Sequence, residues 1–181
     1  MENLLRETLP HAPRLGLYVA PNIPKEKVAA ALEAYAPTLA RERVIALYDA
    51  TIFGSGKDGV LFLADRLVYQ NNPAAPPQTI PYRDVAGVEM RPMLLGGRKI
   101  VVAVDEARTT VSHELDFSAH REAAEPVFKF LEAIIARPAG DAPVPPRTDL
   151  AAVRAALDRL VKRGQLSEVH RRLMLNVLEL D

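Results

Sequence analysis

The feature that most constrains the fold is a series of short apolar runs between Val44 and Phe117, separated by residues that favour turns. Glycines occupy positions 54, 56 and 59, and positions 71–78 hold three prolines and two asparagines. Glycine takes positive φ without steric cost, and proline cannot donate to a sheet ladder, so both indicate where strands end. The pattern predicts about seven short strands, at 44–48, 60–63, 67–70, 79–82, 85–90, 99–104 and 109–117.

The segment 1–43 is predicted to be mostly extended, because Pro10, Pro13 and Pro21 disfavour helix in the residues before them. A short helix is predicted over Glu2–Thr8, and a short strand or extended cover near 15–20. A second helix is predicted to begin at Pro24 and to end at Pro37. Its apolar residues share one face and must pack on a neighbour: Val28, Ala31, Leu32 and Tyr35.

A third helix is predicted over 118–136, because its apolar residues recur at helical spacing: Val127, Phe128, Leu131, Ile134 and Ile135. Ser118 is the predicted N-cap, since its hydroxyl can accept a hydrogen bond from a free backbone N–H of the first turn. Pro126 leaves two alternatives. Either the helix kinks there, or a looser opening segment precedes a regular helix that begins at Pro126.

Beyond this helix, residues 137–147 include four prolines and predict a stiff, extended linker. Residues 148–181 predict a helical hairpin whose first helix ends at Gly164. Each helix of the hairpin is apolar on one side only and is too short to be stable alone. We therefore expect the hairpin to dock on the main domain, on itself or on a second copy.

Composition limits the functional classes. The 181 residues include 23 Lys plus Arg and 23 Asp plus Glu, so no global charge favours a nucleic-acid partner. The absence of cysteine excludes disulfides, thiolate catalysis and cysteine-based metal sites, and it fits a cytoplasmic protein. The first ten residues are not apolar enough for a secretory signal, and no run reaches the ~20 apolar residues that span a bilayer. Any membrane contact is expected to be peripheral.

The runs from residue 44 onward also carry a family resemblance. The segment Thr51-Ile-Phe-Gly-Ser-Gly-Lys-Asp-Gly-Val-Leu-Phe-Leu-Ala-Asp-Arg-Leu-Val-Tyr, followed by Ile80-Pro-Tyr-Arg-Asp-Val, resembles the bacterial pleckstrin-homology-like (PH-like) family. The resemblance covers about residues 44–136. It implies an α+β fold, in which an antiparallel β-barrel of about seven strands is capped by a C-terminal helix. Around this domain we expect an N-terminal helical segment at 1–43, the linker at 137–147 and the hairpin at 148–181.

The hairpin resembles the short helical modules that end many bacterial proteins of this kind and that support oligomerisation. The matching residues are Leu157, Leu160, Gly164, Leu166 and Ser167. His170-Arg171 stands where such modules carry a Glu-Phe pair.

The Gly-rich segment at 54–59 is the first place to look for chemistry. A phosphate-binding loop needs a glycine at position 51 and a hydroxyl at position 58, but the chain has Thr51 and Asp58 there. The segment is therefore predicted to be a β-hairpin turn, with Thr51-Ile-Phe continuing or restarting the strand before it. Lys57 and Arg108 are the candidate contacts for an anionic surface, although solvated turns are the simpler interpretation.

The rest of the chain predicts no catalytic residue, no metal ligand and no cofactor. None of the four histidines has a metal-binding spacing, and His113 is predicted to be a hydrogen-bonded core or rim residue. PH-like folds are binding scaffolds, so the resemblance implies a non-enzymatic module that contacts a protein partner or another copy of itself. The alternatives are a peripheral binder of anionic lipid and an enzyme whose site is dispersed along the chain.

Overall fold

The computed structural model describes residues 1–94, 96–106 and 109–137. The described residues form three α-helices, α1 (Glu2–Thr8), α2 (Lys25–Tyr35) and α3 (Ala124–Ile135). They also form eight strands: β1 (Leu17–Val19), β2 (Ala46–Asp49), β3 (Gly59–Phe62), β4 (Arg66–Gln70), β5 (Gln78–Pro81), β6 (Val85–Pro92), β7 (Arg98–Glu106) and β8 (Thr109–Asp116). Seven strands therefore follow residue 44, as predicted, and β1 is an eighth.

The strands form two antiparallel sheets. The first has the order β1-β2-β3-β4-β5, and the second has the order β6-β7-β8. The mixed α+β class predicted from the sequence is confirmed.

The predicted closed barrel is wrong for the described residues, because no strand ladder joins the two sheets. Between β5 and β6, Pro81 and a 3-10 turn at Tyr82–Asp84 interrupt the extended chain. The side chain of Asn71, in the loop after β4, bonds the backbone of β8. Its amide donates to the Glu114 carbonyl at 2.7 Å and accepts from the Asp116 N–H at 3.1 Å. A side chain, and not a strand ladder, therefore links this loop of the first sheet to the second sheet.

The structure decides between the two alternatives for the start of the third helix, and it corrects the predicted N-cap. A 3-10 turn at Arg121–Ala123 leads into α3, so Pro126 lies in the first helical turn, where it removes no intrahelical hydrogen bond. The expected N-cap at Ser118 is wrong: the helix is preceded by Ala123, without a side-chain cap. The Ser118 N–H instead donates to the Asp116 carboxylate at 2.7 Å.

The five-stranded sheet is covered on both faces. One face contributes to the main core, where the Phe130 ring of α3 meets the rings of Phe62 and Tyr82 edge to face. The other face lies under α2, through Val28, Ala31 and Tyr35. All residues of β2 and β3 are buried for this reason, and apart from Asp49 at the end of β2 neither strand has a charged residue.

The N-terminal segment contributes to the same packing. Leu5 and Leu9 are buried in the main core, and β1 pairs with β2 along the sheet edge. The predicted linker beyond Arg137, the predicted hairpin at 148–181 and Arg108 lie outside the described residues.

Candidate functional site

The connection between β2 and β3 is a loop of nine residues, 50–58, which we call the β2–β3 loop. The predicted hairpin is confirmed, because β2 and β3 pair antiparallel across this loop. Two details of the prediction are wrong: the connection is longer than a tight turn, and Thr51-Ile-Phe neither continues nor restarts a strand. The segment from Thr51 to Asp58 has no regular secondary structure. Its path is set by side chains from outside the loop.

Asp49, the last residue of β2, is the anchor of this loop. Its side chain is only 2% exposed. One carboxylate oxygen accepts hydrogen bonds from the Thr51 N–H at 3.0 Å, the Thr51 hydroxyl at 2.5 Å and the Gly56 N–H at 3.2 Å. The other oxygen lies 2.6 Å from the Lys27 ammonium. A single buried carboxylate therefore holds both halves of the loop.

Lys27 ties the loop to α2. Its ammonium also donates to the Gly54 carbonyl and lies 5.2 Å from the centre of the Tyr18 ring. Burial acts to lower the pKa of Lys27, but the hydrogen bond and the charge of Asp49 outweigh it, so the pKa is raised. Lys27 therefore carries its charge at neutral pH and forms a buried ion pair with Asp49.

Two glycines let the loop lie directly on α2. Gly54 has a φ of +68° and Gly56 has a φ of +75°, both in the left-handed region. A Cβ atom at Gly56 would lie 2.7 Å from the Lys27 carbonyl oxygen, and one at Gly54 would lie 2.7 Å from the Lys27 ammonium. The close approach explains why these glycines mark a packed loop rather than a phosphate site.

The loop presents two large apolar side chains to solvent, Ile52 and Phe53, which we call the apolar tip. Ile52 is 82% exposed and Phe53 is 97% exposed. Neighbouring residues of the loop are held by buried hydrogen bonds, so the tip cannot be explained as the end of a frayed segment. The two side chains therefore form an exposed apolar patch on an anchored loop.

The charges around the tip are asymmetric. Lys57 is exposed, and the residues from Ala50 to Lys57 include no carboxylate. Burial and the charge of Asp49 raise the pKa of Asp58, which is only partly exposed. Behind the loop, the hydroxyl of Tyr35 is buried without a hydrogen-bond partner among the described residues, and burial raises its pKa.

The raised pKa of Asp58 predicts a pH-dependent effect on stability. A carboxyl group whose pKa is raised on folding stabilises the folded state most below its unfolded value of 3.8, and this contribution is lost as pH rises through the folded pKa. We therefore expect Asp58→Asn to increase the free energy of unfolding at pH 7, by no more than about 1 kcal/mol because the group is partly solvated. The gain should disappear near pH 3.

Asp65→Asn is the matched control for this measurement, because its carboxyl is shifted in the opposite direction. The hydrogen bond from Arg66 lowers the pKa of Asp65, so this carboxylate stabilises the folded state at neutral pH and loses that effect as pH falls. Urea unfolding at pH 7 should give changes of opposite sign for the two variants, and at pH 3 the gain from Asp58→Asn should be absent. Equal signs at pH 7 would contradict the assignment of Asp58.

Of the two residues predicted as anionic contacts, Lys57 is an exposed residue of the β2–β3 loop, which also carries the apolar tip. Arg108 lies outside the described residues. His113 is buried, and its Nδ1 lies 3.2 Å from the Tyr69 hydroxyl, as expected for a hydrogen-bonded core histidine. Sequence reasoning missed the apolar tip and the Lys27–Asp49 anchor. The only local signal was Asp49-Ala-Thr51, a pattern in which an Asp side chain accepts from the backbone two residues on.

An open depression of about 620 Å³ lies beside the β6–β7 hairpin. Its lining includes Arg98 and Glu125, which pair at 3.6 Å, and Arg121 and Glu122. Charges of both signs line it in equal number. Among the residues in 1–94, 96–106 and 109–137, no group of three or more His, Asp or Glu could hold a metal ion.

Comparison with protein-family models, curated proteins and solved structures finds no match to this chain. Within the described part of the chain, no helix combines the length and the apolar character needed to cross a bilayer. The proposals below therefore rest on the geometry of the chain itself.

Proposed function

We propose that this chain is a non-enzymatic interaction module of PH-like type in the bacterial cytoplasm, which contacts a protein partner through its apolar tip. Seven strands followed by a helix, in two antiparallel sheets, support the PH-like assignment. The residues that carry the contact are Ile52 and Phe53. Asp49 and Lys27 are positioning residues, because they hold the loop and do not reach the partner.

The exposure of the apolar tip is the observation that carries this proposal. Burying a Phe or Ile side chain that was exposed gains roughly 1.5–3 kcal/mol, so two adjacent ones can anchor a contact. The neighbouring residues Thr51 and Gly56 are hydrogen-bonded to Asp49, and Gly54 is hydrogen-bonded to Lys27. These bonds keep the tip from folding back onto its own sheet. Large apolar side chains that enter a partner's pocket typically dominate the energy of an interface.

Photo-cross-linking tests the protein contact. We expect full-length protein with p-benzoylphenylalanine in place of Phe53 to give a discrete cross-linked product in cells. The same probe at Glu33, an exposed residue of α2, is the control and should give none. Adding Ile52→Ser to the Phe53 probe should reduce the yield several-fold, because half of the apolar tip is then lost. Equal yields from the probes at Phe53 and Glu33 would contradict the proposal.

A peripheral contact with an anionic membrane is the second candidate, and Lys57 is the observation that favours it. A cation beside two exposed apolar side chains suits a bilayer surface, where each Lys or Arg contributes roughly 1 kcal/mol. Sedimentation with vesicles of phosphatidylglycerol and phosphatidylcholine at low salt distinguishes the two candidates. If the unaltered chain binds the vesicles and both Phe53→Ser and Lys57→Glu abolish that binding, the membrane contact is supported. If the unaltered chain does not bind, the membrane contact is rejected in favour of the protein partner.

A further inference from the structure

The outer edge of β8 is the second unexplained surface of the molecule. The Phe117 N–H donates to the Arg98 carbonyl at 2.8 Å, so the odd-numbered residues here direct their backbone groups toward β7. Even-numbered residues direct theirs outward, as Asn71 shows by bonding the Glu114 carbonyl and the Asp116 N–H. The Asn71 amide acts there as a substitute for a neighbouring strand.

The other three sheet edges are blunted. The outer edge of β1 is met by a bridge from Ala12 and by the His11 imidazole, which accepts from the β1 backbone at 3.2 Å. β5 includes Pro81, and β6 has a bulge between Val85 and Gly87. Short strands, prolines and bulges are the usual means by which proteins prevent edge-to-edge pairing.

β8 has none of these protections. It is eight residues long, includes no proline, and pairs with β7 in a register without a shift. The outward N–H and C=O groups of Thr110 and Ser112 have no hydrogen-bond partner among the described residues. Both side chains are exposed and uncharged. The backbone groups of the edge are therefore available at these two residues. Beyond them, Asn71 bonds the Glu114 carbonyl and the Asp116 N–H.

Val111 lies between Thr110 and Ser112, and its side chain is on the inner face of the sheet. The inward-facing residues of β8 that follow it, His113 and Leu115, are buried, but Val111 is only half-buried. A strand added to the edge would cover it. The open backbone groups and the partly uncovered valine therefore coincide at one place.

We infer that two copies of this chain pair through the outer edges of their β8 strands, antiparallel about Val111, so that the two three-stranded sheets form one six-stranded sheet. In this register Thr110 of each copy faces Ser112 of the other, and the two pairs exchange four backbone hydrogen bonds. The Thr110 hydroxyl donates to the Asp105 carboxylate of its own copy at 3.0 Å, and its oxygen can still accept from the Ser112 hydroxyl that lies beside it in the other copy. The two Val111 side chains meet on the inner face.

A second copy fits this edge better than an arbitrary peptide for a reason of symmetry. Thr110 and Ser112 are the first outward residues on either side of Val111, so a two-fold axis through Val111 uses all of their outward N–H and C=O groups. Two-fold dimers are the commonest homo-oligomers. Because the shared surface is small, we expect the dimer to form only at high concentration. This inference does not rest on the apolar tip, and each can fail alone.

Analytical ultracentrifugation of the full chain, from about 10 µM to about 1 mM, tests the pairing. We expect the mass to rise from monomer to dimer. Ser112→Pro removes one outward N–H from each copy without touching the bonds to β7, and it should raise the dimer dissociation constant about tenfold or more. Thr79→Pro is the matched control, because Thr79 also directs its N–H outward, on the edge of β5. It should dimerise like the unaltered chain.

A chain that stays monomeric across this range would overturn the inference, as would a Ser112→Pro variant that dimerises as tightly as the control. If that variant does not fold, amide exchange on the unaltered protein decides. Exchange of the Thr110 and Ser112 N–H groups should slow at least several-fold between the lowest and highest concentration. Concentration-independent exchange at both residues would equally overturn the pairing.

Discussion

Asp49→Ala is expected to reduce the free energy of unfolding by about 3–5 kcal/mol, the range for breaking a buried ion pair by removing one partner. The substitution leaves the Lys27 ammonium in a site where its side chain is only 15% exposed. It also removes the acceptor for the Thr51 hydroxyl and for the N–H groups of Thr51 and Gly56. The β2–β3 loop should lose its defined path, which limited proteolysis at Phe53 would detect.

Glu89→Ala is the matched control for this experiment. Glu89 pairs with Arg91 at 2.6 Å, the same distance as Asp49 and Lys27, but both side chains of that pair are about half exposed. Its removal should leave the unfolding transition unchanged within error, because water replaces the lost partner. Chemical denaturation of both variants at pH 7 gives the comparison. Similar small losses in both would contradict the role of Asp49 as a buried anchor.

Gly59→Ala is the second substitution with a large expected effect. Gly59 has a φ of +139°, and an added Cβ atom would lie 1.9 Å from the Tyr48 carbonyl oxygen. No side-chain rotation relieves a contact with backbone, so β3 would have to shift against β2 at its first pair, Asp49 with Gly59. We expect a loss of about 3 kcal/mol or more, since backbone strain alone accounts for about 1–3 kcal/mol.

Gly96→Ala separates the clash from the cost of positive φ. Gly96 has a φ of +85°, and an added Cβ atom there meets no atom of the other described residues within 4 Å. Its loss should be about 1–2 kcal/mol, the cost of the left-handed conformation for an alanine. Thermal and urea unfolding of the two variants measure the difference. If both glycines tolerate alanine equally, the close approach of β3 to Tyr48 does not exist in solution.

The strands could be predicted because their signal is local. Val111, His113 and Leu115 alternate with polar residues along β8, and β2 before Asp49 and the whole of β3 lack charged residues because packing covers both of their faces. The start of α3 was left open between two alternatives, since Pro126 fits the first turn of a helix as well as a kink.

The loop and the sheet closure could not be predicted, because both depend on distant side chains. Lys27 and Asp49 are 22 residues apart in sequence, and nothing in the composition of either segment links them. Asn71 bonds the backbone of β8 from a position 43 residues away and so links the two sheets through a side chain. Ile52 and Phe53 read as strand residues because apolar β-formers usually are.

The anchoring of the β2–β3 loop has a consequence for the thermodynamics of association. Fixing the backbone of one free residue costs roughly 1–2 kcal/mol of conformational entropy, and a nine-residue segment ordered only on contact would lose much of the gain from burying its apolar tip. Here the bonds to Asp49 and Lys27 order the loop when the chain folds, so the entropy cost belongs to folding and not to association. The proposed partner would therefore meet Ile52 and Phe53 already in place, and its affinity would be governed by fit rather than by ordering of the loop.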